Sequence, residues 1–182
     1  EFIASGENHA EIISSLDNIL SSILVSRNAT VIIDYSCMSK VWYSTILNYF
    51  LNKNAGIMKL ELIFSYTPSQ FSEPKPPMPN NYMGPIPGIY RVSTSYKPTA
   101  LILGLGYEKE TAKGLVEYLD PQLTYAFYSK PTFNENFWKL VEQNNNELIT
   151  SLGENNIFEY PFNDLRITDS LLTSLCIGLR NK

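Results

Sequence analysis

The residues with most chemistry to offer are Asp34-Tyr35-Ser36-Cys37-Met38-Ser39-Lys40, which leave an apolar stretch and enter an amphipathic one. A strand-to-helix turn of this composition gathers free backbone N–H groups, two hydroxyls (Ser36, Ser39) and one ammonium (Lys40), an arrangement that binds phosphate or carboxylate. The same residues also admit a purely structural role: Ser36 or Ser39 caps the helix and Asp34 bonds neighbouring backbone. Cys37 shares the turn, where a helix dipole favours a thiolate. A nucleophile there needs a base, and the sole histidine, His9, falls in a leader expected to be exposed. The arginine expected downstream in a cysteine-phosphatase loop is missing.

A second strand-end turn is Gly104-Leu105-Gly106-Tyr107-Glu108. Its glycines allow close backbone approach by a ligand, and Tyr107 could stack on a base; a tight turn that needs glycine for its dihedrals explains them equally. Lys109 stands where a dinucleotide fingerprint has Gly or Ala, and no GxxxxGK[ST] occurs. The carboxylates of the second half, among them Glu117, Asp120, Glu135, Glu142, Glu147, Glu154, Glu159, Asp164 and Asp169, show no metal-ligand spacing and read as solvated helix faces. Tyr66, Tyr82, Tyr90, Tyr96, Tyr107 and Tyr160 could line a stacking pocket, though packing explains them as well.

The elements that must position these groups follow from periodicity. Residues 10–25 carry Ile12, Ile13, Leu16, Ile19, Leu20, Ile23 and Leu24 at helical spacing. Residues 30–35 form a β-branched run without polar alternation, expected of a central parallel strand covered on both faces. A helix over 40–51 and a strand over 60–66 complete a βαβ unit. Eight of the eleven prolines then lie between Pro68 and Pro98, so residues 67–98 read as a proline-rich insertion or lid with a short strand at 89–96. Strands at 99–105, 123–128 and 156–160 alternate with helices at 111–119, 133–152 and 164–179, and Gly153 is placed to cap the long helix. This order predicts one α/β domain over 1–182, three-layer and Rossmann-like, with a mostly parallel sheet that binds ligands at its strand ends.

The 182 residues, 44% hydrophobic and 13% aromatic, suit a folded domain with its own core. A formal charge of −4 argues against an extended nucleic-acid surface but not against an anionic ligand held at one helix start. Cys37 and Cys176 stand far apart without CxxC spacing, so neither a zinc site nor a disulfide framework is expected, and a reducing cytoplasm is the expected compartment. No apolar run reaches the length of a membrane span, and no metal or cofactor is called for.

Asp34, Ser36, Ser39 and Lys40, with a helix before and after, resemble the Asp-x-Thr/Ser-x-Gly-Thr-Lys motif of CRISPR-associated Rossmann-fold (CARF-like) sensor domains of bacterial antiviral systems. Met38 stands where that family has glycine. The resemblance covers about 30 residues and implies a pocket for cyclic oligonucleotide phosphates, formed across a homodimer. The family's other ligand turn follows a first strand; here the chain is expected to begin at a helix, with that part lost or supplied by a partner chain. The resulting expectation is a non-catalytic sensor that takes a nucleotide or other small anion through Asp34, Ser36, Ser39, Lys40, Gly104, Gly106 and Tyr107. The alternatives are a hydrolase or transferase with a Ser36 or Cys37 nucleophile assisted by Asp34 or Glu108, and a protein-interaction domain that docks through Pro74–Pro77.

Overall fold

The computed structural model describes residues 8–23, 28–52, 59–74, 84–86, 88–90 and 98–180. They belong to two compact units, one made of Glu1–Gln70 with Asn80–Thr94, the other of Phe71–Pro79 with Ser95–Lys182. The fold is α/β with several helices and, among the described residues, two parallel sheets, of two and three strands.

The first unit runs α1 (His9–Ile23), β1 (Asn28–Asp34), α2 (Lys40–Asn52), β2 (Lys59–Ser65). β1 and β2 pair in parallel from Asn28↔Lys59 to Asp34↔Ser65, so both strands end beside the Asp34 turn. Alternation along β1 decides its faces: Val31 and Ile33 meet Ile12 and Leu16 of α1 and Ile46, Val41 and Trp42 of α2, while Ile32 points the other way. Ile12, Ile33 and Ile46 are buried. Within the first unit, Ile32 and its register partner Ile63 lie on the face that α1 and α2 leave open. Both helices pack on the Ile33 side. His9 corrects an expectation: it opens α1, is half-buried, and its Nδ1 lies 3.0 Å from the Thr45 hydroxyl of α2.

The second unit runs β3 (Ala100–Gly104), α3 (Thr111–Leu119), β4 (Leu123–Ser129), α4 (Glu135–Asn144), α5 (Asn146–Leu152), β5 (Ile157–Tyr160) and α6 (Leu165–Arg180), all strands parallel in the order β3-β4-β5. The central strand β4 buries five consecutive residues, Thr124 to Tyr128, as a strand covered on both faces should. Phe127 stacks on its β5 neighbour Phe158 at 4.6 Å.

The single helix expected over 133–152 is two. It starts only at Glu135, because the Asn134 side chain accepts the Asn136 N–H and caps it, leaving Phe133 68% exposed outside. It breaks at Asn145, whose backbone leaves the helical region (φ −113°, ψ 14°). Val141 and Leu148 are buried as the periodicity predicts. Gly153 closes α5 at φ +74°, ψ 158°, a conformation almost restricted to glycine. In α6, Leu171, Leu172, Leu175 and Leu179 are half-buried, but Leu165 is 63% exposed because it sits at the first position of the helix. Of the proline-rich segment, Gly88-Ile89 is a turn; most of the expected 89–96 strand and Pro76, Pro77 and Pro79 lie outside the described residues.

Candidate functional site

Parallel strands feed their turns into helix N-termini, and in the first unit that geometry assembles the Asp34–Lys40 turn. Asp34 Oδ1 accepts both the Ser36 N–H (3.0 Å) and the Ser36 hydroxyl (2.5 Å). The Ser36 oxygen in turn accepts the Thr67 N–H at 2.7 Å, just past the end of β2. The hydrogen bonds from Ser36, side chain first and backbone second, hold the Asp34 carboxyl below its ordinary value. A carboxylate stabilised in this way is a weak base. Ser36 is thus tied between two strand ends, the structural role that the sequence also allowed.

Ser39 does not cap α2 in the expected manner. Its carbonyl accepts the Tyr43 N–H, which starts the helical ladder, yet its hydroxyl is shielded from solvent and has no partner among the described residues. An unsatisfied hydroxyl of this kind costs about 1–3 kcal/mol. Lys40, the first residue of α2, is exposed and forms no ion pair among the described residues. The first N–H groups of α2 are without intrahelical acceptors by helix geometry. Cys37 is exposed in the same turn, and the histidine that a thiolate or serine nucleophile would need bonds Thr45 instead.

Beside this turn lies an aromatic cluster. Tyr35 packs against Tyr66 (5.3 Å between ring centres), Tyr43 (5.9 Å) and Phe64 (6.1 Å). Burial, and secondly the neighbouring Tyr35, push the Tyr43 phenol up. Tyr66 and Phe64 remain partly exposed. Tyr66 could be picked out from the sequence as a stacking candidate; Tyr35, Tyr43 and Phe64 become candidates only when β1, β2 and α2 are placed side by side.

Gly104, Gly106 and Tyr107 form the corresponding turn of the second unit. Gly104 is exposed, and a side chain there would meet nothing within 4 Å. Gly106 is covered by the Glu108 carboxylate. The Tyr107 ring lies 6.1 Å from Phe137. Two residues that sequence reasoning passed over hold this turn: Asn144 Nδ2 donates to the Tyr107 carbonyl, and Asn145 Nδ2 donates to the Gly106 carbonyl at 2.9 Å and to the Val141 carbonyl at 2.8 Å. Lys109, Lys113, Asn144, Asn146 and Glu147 line a polar pocket next to it, in which Lys113 is already bound to Glu147 at 2.8 Å. The only signal in the sequence was the run Gln143-Asn144-Asn145-Asn146, four amides where a solvated helix would carry charges.

No group of three or more His, Cys, Asp or Glu with metal-binding geometry occurs among the described residues, and none of their helices is long and apolar enough to cross a membrane. No family model, curated protein or solved structure matches this chain.

Proposed function

We propose that the first unit is a ligand-binding or sensor module that takes a nucleotide or other small anion at the carboxyl ends of β1 and β2. The observation that carries this reading is the shielded, unpartnered Ser39 hydroxyl beside the exposed Lys40 at the start of α2. A phosphate or carboxylate there accepts from the first N–H groups of α2 and from Lys40, and from Ser39 once a side-chain rotation turns its shielded hydroxyl outward, which together supply the donors an anion requires. A base then lies against Tyr66 and Tyr35, and Asp34 and Ser36 shape the floor. The exposed Gly104, with Gly106 and Tyr107, is assigned to backbone approach and stacking in the second unit. The resemblance of Asp34, Ser36, Ser39 and Lys40 to CRISPR-associated sensor motifs supports a Rossmann-like, cytoplasmic, dimeric sensor in bacterial antiviral defence.

Calorimetric titration of the whole chain with mononucleotides, dinucleotides, cyclic oligonucleotides and inorganic phosphate tests the proposal. Saturable heat from at least one of them is expected. Absence of heat from the entire panel with folded protein refutes it.

A further inference from the structure

A polar cluster in the second unit is built from residues other than those assigned to ligand. Tyr128, at the end of β4, places its hydroxyl 2.7 Å from Oε1 of both Glu142 on α4 and Glu159 on β5. The Lys130 ammonium meets the same two oxygens at 2.9 and 3.0 Å and lies 4.6 Å from the centre of the Trp138 ring on α4. Two carboxylates from different elements therefore converge on one hydroxyl and one ammonium. The other charged groups of α4 are Lys139, also over Trp138, and Glu135 at its start, which binds Lys139; Glu147 on α5 is taken by Lys113 of α3. None of these four replaces a partner in the cluster.

Donor arithmetic shows how the cluster responds to acid. A tyrosine hydroxyl has one proton to donate, and an ammonium has three. With both carboxylates ionised, the pair is bridged by charge-assisted hydrogen bonds, which are about twice as strong as neutral ones. Once Glu159 is protonated, the ammonium loses the counter-ion on β5, and the bridge between α4 and β5 loses its electrostatic basis. α4 carries Glu142 only two and three residues before Asn144 and Asn145, the side chains that hold the Tyr107 and Gly106 carbonyls.

We infer that Glu142, Glu159, Lys130 and Tyr128 form an acid-release clasp that fixes the end of α4 to β4 and β5 and so sets how firmly Asn144 and Asn145 grip the β3–α3 turn. Burial opposes ionisation of Glu159, but the hydrogen bonds from Tyr128 and Lys130 and the nearby ammonium outweigh it and hold its carboxyl below the usual glutamate range. The stability this contributes is present above the ordinary glutamate pKa and is lost as pH falls through the depressed one, so release is expected below about pH 4.3.

The test uses the whole chain with Trp42→Phe, which leaves Trp138 as the sole indole. Trp138 fluorescence and the hydrogen-exchange protection factors of residues 104–108 are followed from pH 7 to pH 3, with far-UV circular dichroism to locate global unfolding. Both readouts should change with one midpoint, above the pH of global unfolding. Glu142→Gln should cut protection of the turn at least several-fold at pH 7 and flatten its pH dependence. Should that variant fail to fold, Tyr128→Phe, which keeps both ion pairs, should raise the midpoint. Turn protection that stays constant down to global unfolding, or a Tyr128→Phe midpoint equal to the parent's, overturns the inference. Neither result depends on the ligand site of the first unit.

Discussion

Asn145 offers the sharpest perturbation of the second unit. It is 5% exposed, and its one Nδ2 group serves two carbonyls, those of Gly106 and Val141. Asn145→Ala removes both bonds. The Val141 carbonyl keeps the Asn145 backbone N–H at 3.1 Å, whereas the Gly106 carbonyl loses its side-chain donor. Two hydrogen bonds at about 0.5–1.5 kcal/mol each, with one half-buried acceptor losing its donor, predict a loss of about 1–3 kcal/mol. Asn145→Asp preserves shape but aims a carboxylate oxygen at two carbonyl oxygens, and an uncompensated buried charge raises the cost to about 3–5 kcal/mol. Urea denaturation followed by Trp138 fluorescence in the Trp42→Phe background measures both. An aspartate variant within about 0.5 kcal/mol of its parent, below the value of a single hydrogen bond, would refute the assignment of Asn145 as the clamp of the Gly106 turn.

Ile12→Ala empties a position only 1% exposed in the core of the first unit and should cost about 2–5 kcal/mol by thermal or urea denaturation. Gly153→Ala forces a Cβ into φ +74°, ψ 158° and should cost about 1–3 kcal/mol despite open space around it, a value near zero pointing to a relaxed backbone. Asp34→Asn keeps an acceptor for Ser36 and removes a negative charge beside the anion site, so phosphate affinity measured by titration should rise, whereas Asp34→Ala should loosen the turn. Because hydrogen bonds donated by Ser36 depress the Asp34 carboxyl, its contribution is present above the ordinary aspartate pKa and fades as pH falls through the lowered one; Asp34→Asn should remove that part of the acid sensitivity.

Elements with strong periodicity were legible from the sequence. The helix over 111–119 coincides with α3, residues 40–51 differ from α2 by one residue at its end, and 60–66 differ from β2 by one residue at each end. What failed was information that periodicity does not carry. The apolar run of β1 looked like a strand covered on both faces, yet within the first unit α1 and α2 cover only the face of Val31 and Ile33, since a strand's composition does not say from where its layers come. The stripe from Phe137 to Leu152 hid a break because Asn145 is compatible with a helix until its amide finds Gly106, 39 residues away in the chain. The strand-to-helix turn at Asp34 was legible; the division of labour in it was not. Ser36 and Ser39 are equivalent by type, and the positions of the Asp34 carboxylate and the Thr67 N–H make one structural and leave the other without a partner among the described residues.

That division makes Ser39→Ala the most direct measurement of the central claim. If the hydroxyl is reserved for a ligand, its removal relieves an unsatisfied group and folding stability should stay level or rise by up to about 1 kcal/mol. Affinity for the best anion of the titration panel should meanwhile fall about tenfold, the equivalent of one hydrogen bond of about 1.4 kcal/mol, and Lys40→Ala should weaken it at least as much. Stability that falls by more than about 1 kcal/mol, as loss of an ordinary helix cap would produce, together with unchanged affinity, would contradict the account.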